Sequence, residues 1–174
     1  MVDLSKIKAL VFDVDGIFTN GGIFCDLEGE LYRTFDAKDG FGVRMAYMNG
    51  YHLGIITGGR SMSIRARFFT CGITEEDVYL GSRNKMEDME DFCKRHGLTL
   101  EEVLYMGDDL PDAEVMSKVG ISATPCDAVE EIRQIADIVT DQPGGHGSVR
   151  HIVEMVMKAQ GRWTFDVHQY KKEF

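Results

Sequence analysis

The stretch Leu10–Gly22 reads LVFDVDGIFTNGG: an apolar run, then two aspartates one residue apart, then a turn through glycine. Short apolar runs rich in β-branched and aromatic residues form buried strands. Aspartate is depleted from strands, and two carboxylates this close repel. Asp13 and Asp15 therefore mark the place where a strand ends. Either something positive offsets them, or the pair does chemistry that needs both.

Outward from Ile7–Val14, the same kind of run recurs. His52–Thr57 (HLGIIT) reads as a second strand, Asp77–Leu80 as a third and Val103–Met106 (VLYM) as a fourth, with weaker candidates at Ile121–Thr124 and Asp137–Thr140. Helices fit between them. Asp39 can cap one running to about Asn49 with Gly50 as its stop; Ser61 opens another that ends before Gly72. Arg83–His96 stops at Gly97, Leu110–Lys118 ends near Gly120, and Ser148–Gln160 is the last. Thr99–Glu102 spells a capping box. This alternation predicts an α/β fold: a Rossmann-like, mostly parallel sheet with helices on both faces. Gly22–Phe35 breaks it with two short β-like runs around Asp26–Gly29. That is a hairpin signal, so a β-hairpin insertion (about 21–36) is expected directly after strand one, with no large cap domain. The length of 174 residues predicts one domain over 1–174, ending in a tail from about 161 to 174.

The formal charge of −10 argues against nucleic acid or an anionic membrane as partner. An anionic substrate would need a local cationic pocket or a metal. No apolar stretch reaches the roughly 18 residues of a membrane span. Charges at Asp3, Lys6 and Lys8 interrupt any signal-like start. The four cysteines (Cys25, Cys71, Cys93, Cys126) are widely spaced and read as small thiols. The expected location is therefore the cytoplasm.

In open α/β sheets, ligands bind beyond the carboxyl ends of strands. Four such ends carry polar residues: Asp13-Val14-Asp15-Gly16; Thr57-Gly58-Gly59-Arg60; Lys85, five residues past the third strand; and Gly107-Asp108-Asp109, with Asp112 beyond. Taken singly, each is an ordinary cap, turn or surface charge. Together they bring carboxylates, a hydroxyl and an ammonium to one small volume. Hard oxygen ligands of this kind suit Mg²⁺, which takes one or two carboxylates and substrate phosphate. A carboxylate can also attack phosphorus, and a second can protonate the leaving oxygen.

DxDG, then T-G, then K, then GDDxxD, in this order, resembles the motif set of the haloacid dehalogenase superfamily of phosphotransferases. The resemblance implies Asp13 as nucleophile, Asp15 as general acid/base, and Thr57 and Lys85 as phosphate clamps beside Gly16 and Gly58. It implies Mg²⁺ held by Asp13, the backbone carbonyl of Asp15, and Asp108, with Asp109 and Asp112 as outer or secondary ligands. More narrowly, FDVDGIFTNGGI, the hairpin, FDAKDGFGV, LYMGDDLPDAEVM, GGHGSVR and KAQGRW resemble the 3-deoxy-D-manno-octulosonate 8-phosphate phosphatases. Those are related to phosphatases of nine-carbon sialic-type sugars. This implies a sugar-acid phosphate as substrate, a place in lipopolysaccharide precursor synthesis, and a homotetramer in which one hairpin covers a neighbour's site. Many members have arginine straight after Thr-Gly, whereas this chain has Gly59 and then Arg60. Arg60, Arg65, Arg67 and Lys38 are candidate substrate contacts; His146 reads as structural or as a rim contact.

Two alternatives stand beside this. One is a phosphatase of a nine-carbon sugar 9-phosphate. The other is a phospho-accepting signalling or regulatory domain, since receiver domains also join an acidic pocket, a Thr and a Lys. Their acceptor aspartate follows a later strand, and they lack a hairpin after the acidic pair.

Overall fold

In the computed structural model, which describes residues 2–174, the opening apolar run forms β1 (Ala9–Phe12), buried throughout. A hairpin follows, β2 (Phe24–Cys25) and β3 (Leu31–Tyr32), then α1 (Ala37–Met48), β4 (His52–Thr57) and α2 (Met62–Phe69). Next come β5 (Val78–Leu80), α3 (Lys85–His96), β6 (Val103–Met106), α4 (Ala113–Met116) and β7 (Ile121–Thr124). The chain ends through α5 (Glu130–Ile135), β8 (Ile138–Val139), α6 (Ser148–Ala159) and α7 (Val167–Glu173).

Six strands form one parallel sheet in the order β5-β4-β1-β6-β7-β8; the hairpin pairs antiparallel outside it. Leu10 and Phe12 enter a core shared with α1, α2 and α6, while Ala9 and Val11 enter a second core shared with α3 and α4. A strand covered on both faces must be apolar at every position. That is why the run does not alternate. The chain leaves β1 towards β4 on one side and leaves β6 towards β7 on the other. The crevice between these two departures, at their carboxyl ends, is where such sheets bind ligands.

The strands at 52–57, 103–106 and 121–124 have the expected bounds. The first strand is shorter than expected, because after the Asp13 N–H bonds to the Met106 carbonyl (3.0 Å) the backbone turns away. The helix caps need correction. Asp36, not Asp39, caps α1, accepting from the N–H groups of Lys38 (2.7 Å) and Asp39 (3.0 Å). Asp39 is buried and accepts instead from Gly147 (3.1 Å) and Arg150 (2.8 Å), holding the start of α6. The third helix begins at Lys85 with Asn84 as its cap rather than at Arg83. The expected helix at 110–118 divides into a 3₁₀ turn (Leu110–Asp112) and the short α4. The capping box at Thr99–Glu102 forms, but it opens only a 3₁₀ turn.

Candidate active site

A cavity of about 360 Å³ opens at the crevice, lined among others by Asp13, Asp15, Thr57, Lys85 and Asp108. A larger hollow of about 510 Å³, between α1, α2 and the end of α7, holds no comparable cluster; Arg44, Tyr47 and Phe174 line it.

Lys85 organises the acidic side. Its ammonium donates to Asp13 Oδ2 (2.8 Å) and Asp112 Oδ1 (2.6 Å), with the lysine side chain 5% exposed. Asp112 is saturated: Oδ1 also accepts from the Tyr105 hydroxyl (2.6 Å), and Oδ2 accepts from the N–H groups of Asp108 (3.0 Å) and Asp109 (3.3 Å). Burial and the Asp112 charge push the Tyr105 hydroxyl well above its ordinary range, so it stays a donor. Asp112 thus fixes the loop after β6 and the position of Lys85. Asp109 caps the 3₁₀ turn that follows, accepting from Leu110 (2.7 Å).

Asp13 accepts from the Val14 N–H (2.7 Å) and faces Asp108 across the cavity mouth; one carboxylate oxygen from each of Asp13, Asp108 and Asp112 lies within 4.8 Å of the others. The Asp108 carboxylate accepts no hydrogen bond from the described residues. Gly16, at φ +80°, allows its approach, since a Cβ there would fall on that carboxylate. Burial, then the Asp112 charge, raises Asp13 to a pKa of about 6 against the opposing pull of Lys85. Burial, then the Asp13 and Asp112 charges, raises Asp108 to about 8. A carboxylate without a donor (Asp108) beside a second one whose charge Lys85 only partly offsets (Asp13), in a hard-oxygen set, fits a small divalent metal. Asp13, Asp108 and the backbone carbonyl of Asp15 could hold it.

Thr57 is buried at the end of β4 and its Oγ accepts from the Gly59 N–H (3.2 Å), leaving the hydroxyl proton for the cavity. Gly58 lines the same wall. The Ser82 Oγ is buried without a partner beside it. Gly144 packs on the Gly16 backbone, and the Gly145 N–H bonds to Ile17 (2.9 Å), so the GGHG segment buttresses the loop after β1 while His146 stays exposed.

The arginines are distributed differently from expectation. Arg60 is not among the residues lining the cavity; its side chain lies along Gly81. Arg65 pairs with Glu75 (2.8 Å), and Arg67 lies over the Phe35 ring. Lys38 is exposed on the first turn of α1. Arg83 lines the cavity instead. Arg33, from the hairpin, grips Asp15 with Nε on Oδ1 (2.7 Å) and Nη2 on Oδ2 (3.0 Å). Sequence reasoning missed Arg33. The signal was strand alternation, which puts Leu31, Arg33 and Phe35 on one face; Phe35 packs against the core.

Residues 60–152 match the profile of the haloacid dehalogenase-like hydrolases. The chain is 37% identical over 157 residues to the 3-deoxy-D-manno-octulosonate 8-phosphate phosphatase of Escherichia coli K12, covering 90% of this chain and 82% of that one. The same phosphatase from Moraxella catarrhalis, solved with magnesium, phosphate and the sugar acid, superposes with a TM-score of 0.88 at 32% identity, over 92% and 91% of the two chains. The cobalt-bound Haemophilus influenzae enzyme superposes with a TM-score of 0.90 at 29% identity, over 98% and 97%.

Proposed function

The chain belongs to the haloacid dehalogenase-like hydrolases and is a sugar-phosphate phosphatase, and from this we propose that it hydrolyses 3-deoxy-D-manno-octulosonate 8-phosphate to the free sugar acid and phosphate, a step of lipopolysaccharide precursor synthesis. The observation that carries the proposal is the meeting of Asp13, Lys85 and Asp108 at one cavity, in a chain whose fold matches a relative holding that sugar acid.

An Asp13 carboxylate oxygen attacks phosphorus. A P–O bond to Asp13 forms, the ester P–O bond to the sugar breaks, and the Asp15 carboxyl gives its proton to the departing sugar oxygen. Water then attacks the aspartyl-phosphate, the Asp15 carboxylate takes up its proton, and the Asp13–phosphorus bond breaks. Lys85, the Thr57 hydroxyl and the Gly58 backbone hold the phosphoryl oxygens. Bound Mg²⁺ neutralises charge on those oxygens and on the Asp13–Asp108 pair. The test is phosphate release from eight- and nine-carbon keto-acid phosphates and from glucose 6-phosphate. The eight-carbon substrate should give the highest kcat/KM. Preference for the nine-carbon acid would reassign the substrate, and equal use of glucose 6-phosphate would remove carboxylate recognition.

The metal should leave a pH signature. Without it, folded Asp13 and Asp108 titrate above their unfolded values, near 4. The folded state then holds more protons, and stability falls as pH rises from about 4 through 6 and 8. Metal binding needs both groups ionised. Mg²⁺ should therefore raise Tm more at pH 8.5 than at pH 6 relative to the chelated protein. An equal or larger gain at pH 6 would contradict the ligand assignment.

The hairpin is proposed to assemble the enzyme as a homotetramer, each hairpin covering a neighbouring site. Ile23 (45%), Phe24 (69%), Leu27 (103%) and Tyr32 (54%) are exposed on it. An apolar cluster of this kind marks an interface. Ile23→Asp with Phe24→Asp should give a monomer by light scattering and lower kcat/KM. A wild-type protein that is monomeric and fully active would leave the hairpin as a lid on its own subunit.

A further inference from the structure

Asp15, the acid and base of the proposed reaction, is held by a guanidinium that is more buried than it is. The Arg33 side chain is 1% exposed and that of Asp15 28%. Burying an arginine costs several kcal/mol unless its partners are well placed, and an apolar residue would pack there more cheaply. The arginine delivers a two-pronged, planar grip that fixes the carboxyl in orientation as well as position. Each carboxylate oxygen keeps a second lone pair for the cavity side.

Gly59 completes the arrangement. A Cβ at Gly59 would lie 3.2 Å from Arg33 Nη2, 2.7 Å from Ile64 Cδ1 and 3.5 Å from Thr57 Oγ1. The guanidinium thus crosses over a residue with no side chain to reach Asp15. The segment that carries it, just past β3, is anchored two residues on, where the Phe35 ring meets Phe68 edge-on at 5.9 Å. We propose that Arg33 is the positioning residue for Asp15, with Gly59 leaving room for the guanidinium to reach that carboxylate. This rests on the phosphatase reading and deepens it: the hairpin acts on the chemistry through one ion pair. A carboxyl displaced by about 1 Å can cost 10²-fold in rate.

Leaving-group dependence separates positioning from a merely structural role. kcat/KM reports the step that expels the leaving group. A sugar alkoxide needs the Asp15 proton to leave, whereas p-nitrophenolate departs without one. Arg33→Met should lower kcat/KM about 10²-fold on the sugar-acid phosphate and less than about 3-fold on p-nitrophenyl phosphate. Arg33→Lys should recover part of the loss. Gly59→Ala should shift the ratio of the two substrates in the same direction, and its effect should be less than additive with Arg33→Met. Should Arg33→Met fail to fold, the milder Gly59→Ala carries the same ratio test. Equal losses on both substrates, or no loss on either, would overturn the proposal while leaving the phosphatase reading intact. A wild-type enzyme that turns over neither ester would overturn both.

Discussion

Asp13→Asn should be folded, at least as stable as the parent within about 1 kcal/mol, and catalytically dead. The amide oxygen can still accept from the Val14 N–H, while the amide nitrogen takes the place of Oδ2, so Lys85 turns to Asp112 alone. Stability is spared because the native charge is poorly accommodated: burial and Asp112 hold Asp13 at about 6. Removing that charge relieves repulsion among Asp13, Asp108 and Asp112 and offsets the lost contact with Lys85. Catalysis has no such compensation, since an amide is a poor nucleophile toward phosphorus and withdraws a metal ligand. Loss of a nucleophile costs on the order of 10⁴-fold or more in kcat. The measurement is thermal unfolding in chelator alongside phosphate release in Mg²⁺. Activity within tenfold of wild type in the folded variant would remove Asp13 from the nucleophile's role.

Lys85→Met should be damaged in both respects. It leaves Asp112, 1% exposed, beside Asp13 with no countercharge, held only by the neutral Tyr105 hydroxyl and the Asp108 and Asp109 N–H groups. Breaking a buried pair from one side costs roughly 3–5 kcal/mol, and losing one fixed cation at the phosphoryl group costs about 10²–10³-fold in kcat. The two losses can be told apart. Lys85→Met combined with Asp112→Asn removes the stranded charge, so stability should recover in part while activity does not. Denaturant titration of both variants, with kinetics on each, reads this directly. Full activity in Lys85→Met would show that the lysine only supports the fold.

The sheet was legible because burial on two faces forces an unbroken apolar run, and the longer runs stop at Asp13, Gly58 and Gly107, residue types that strands reject. Asp13, Thr57 and Asp108 could be placed at one edge for that reason alone. Side-chain partnerships across the chain were not legible. Asp36 and Asp39 are equally good caps by local spelling, and nothing near Asp39 announces that its partners lie at Gly147 and Arg150. Asp109 and Asp112 likewise read alike. Only the structure shows that four donors fill the Asp112 carboxylate. An arginine's reach exceeds what its place in the sequence constrains, so Arg60 beside the Thr-Gly turn lies away from the cavity while Arg33, from the hairpin, reaches its edge.

The most direct test is a rapid-quench experiment with phosphate-labelled 3-deoxy-D-manno-octulosonate 8-phosphate and Mg²⁺, followed by peptide mapping. A hydrolase working through Asp13 should show label rising and decaying within the turnover time, confined to the peptide that contains Asp13. Hydrolysis with no labelled peptide, label on Asp108 instead, or a long-lived phosphoprotein without turnover would each contradict the account, the last in favour of a phospho-accepting signalling domain.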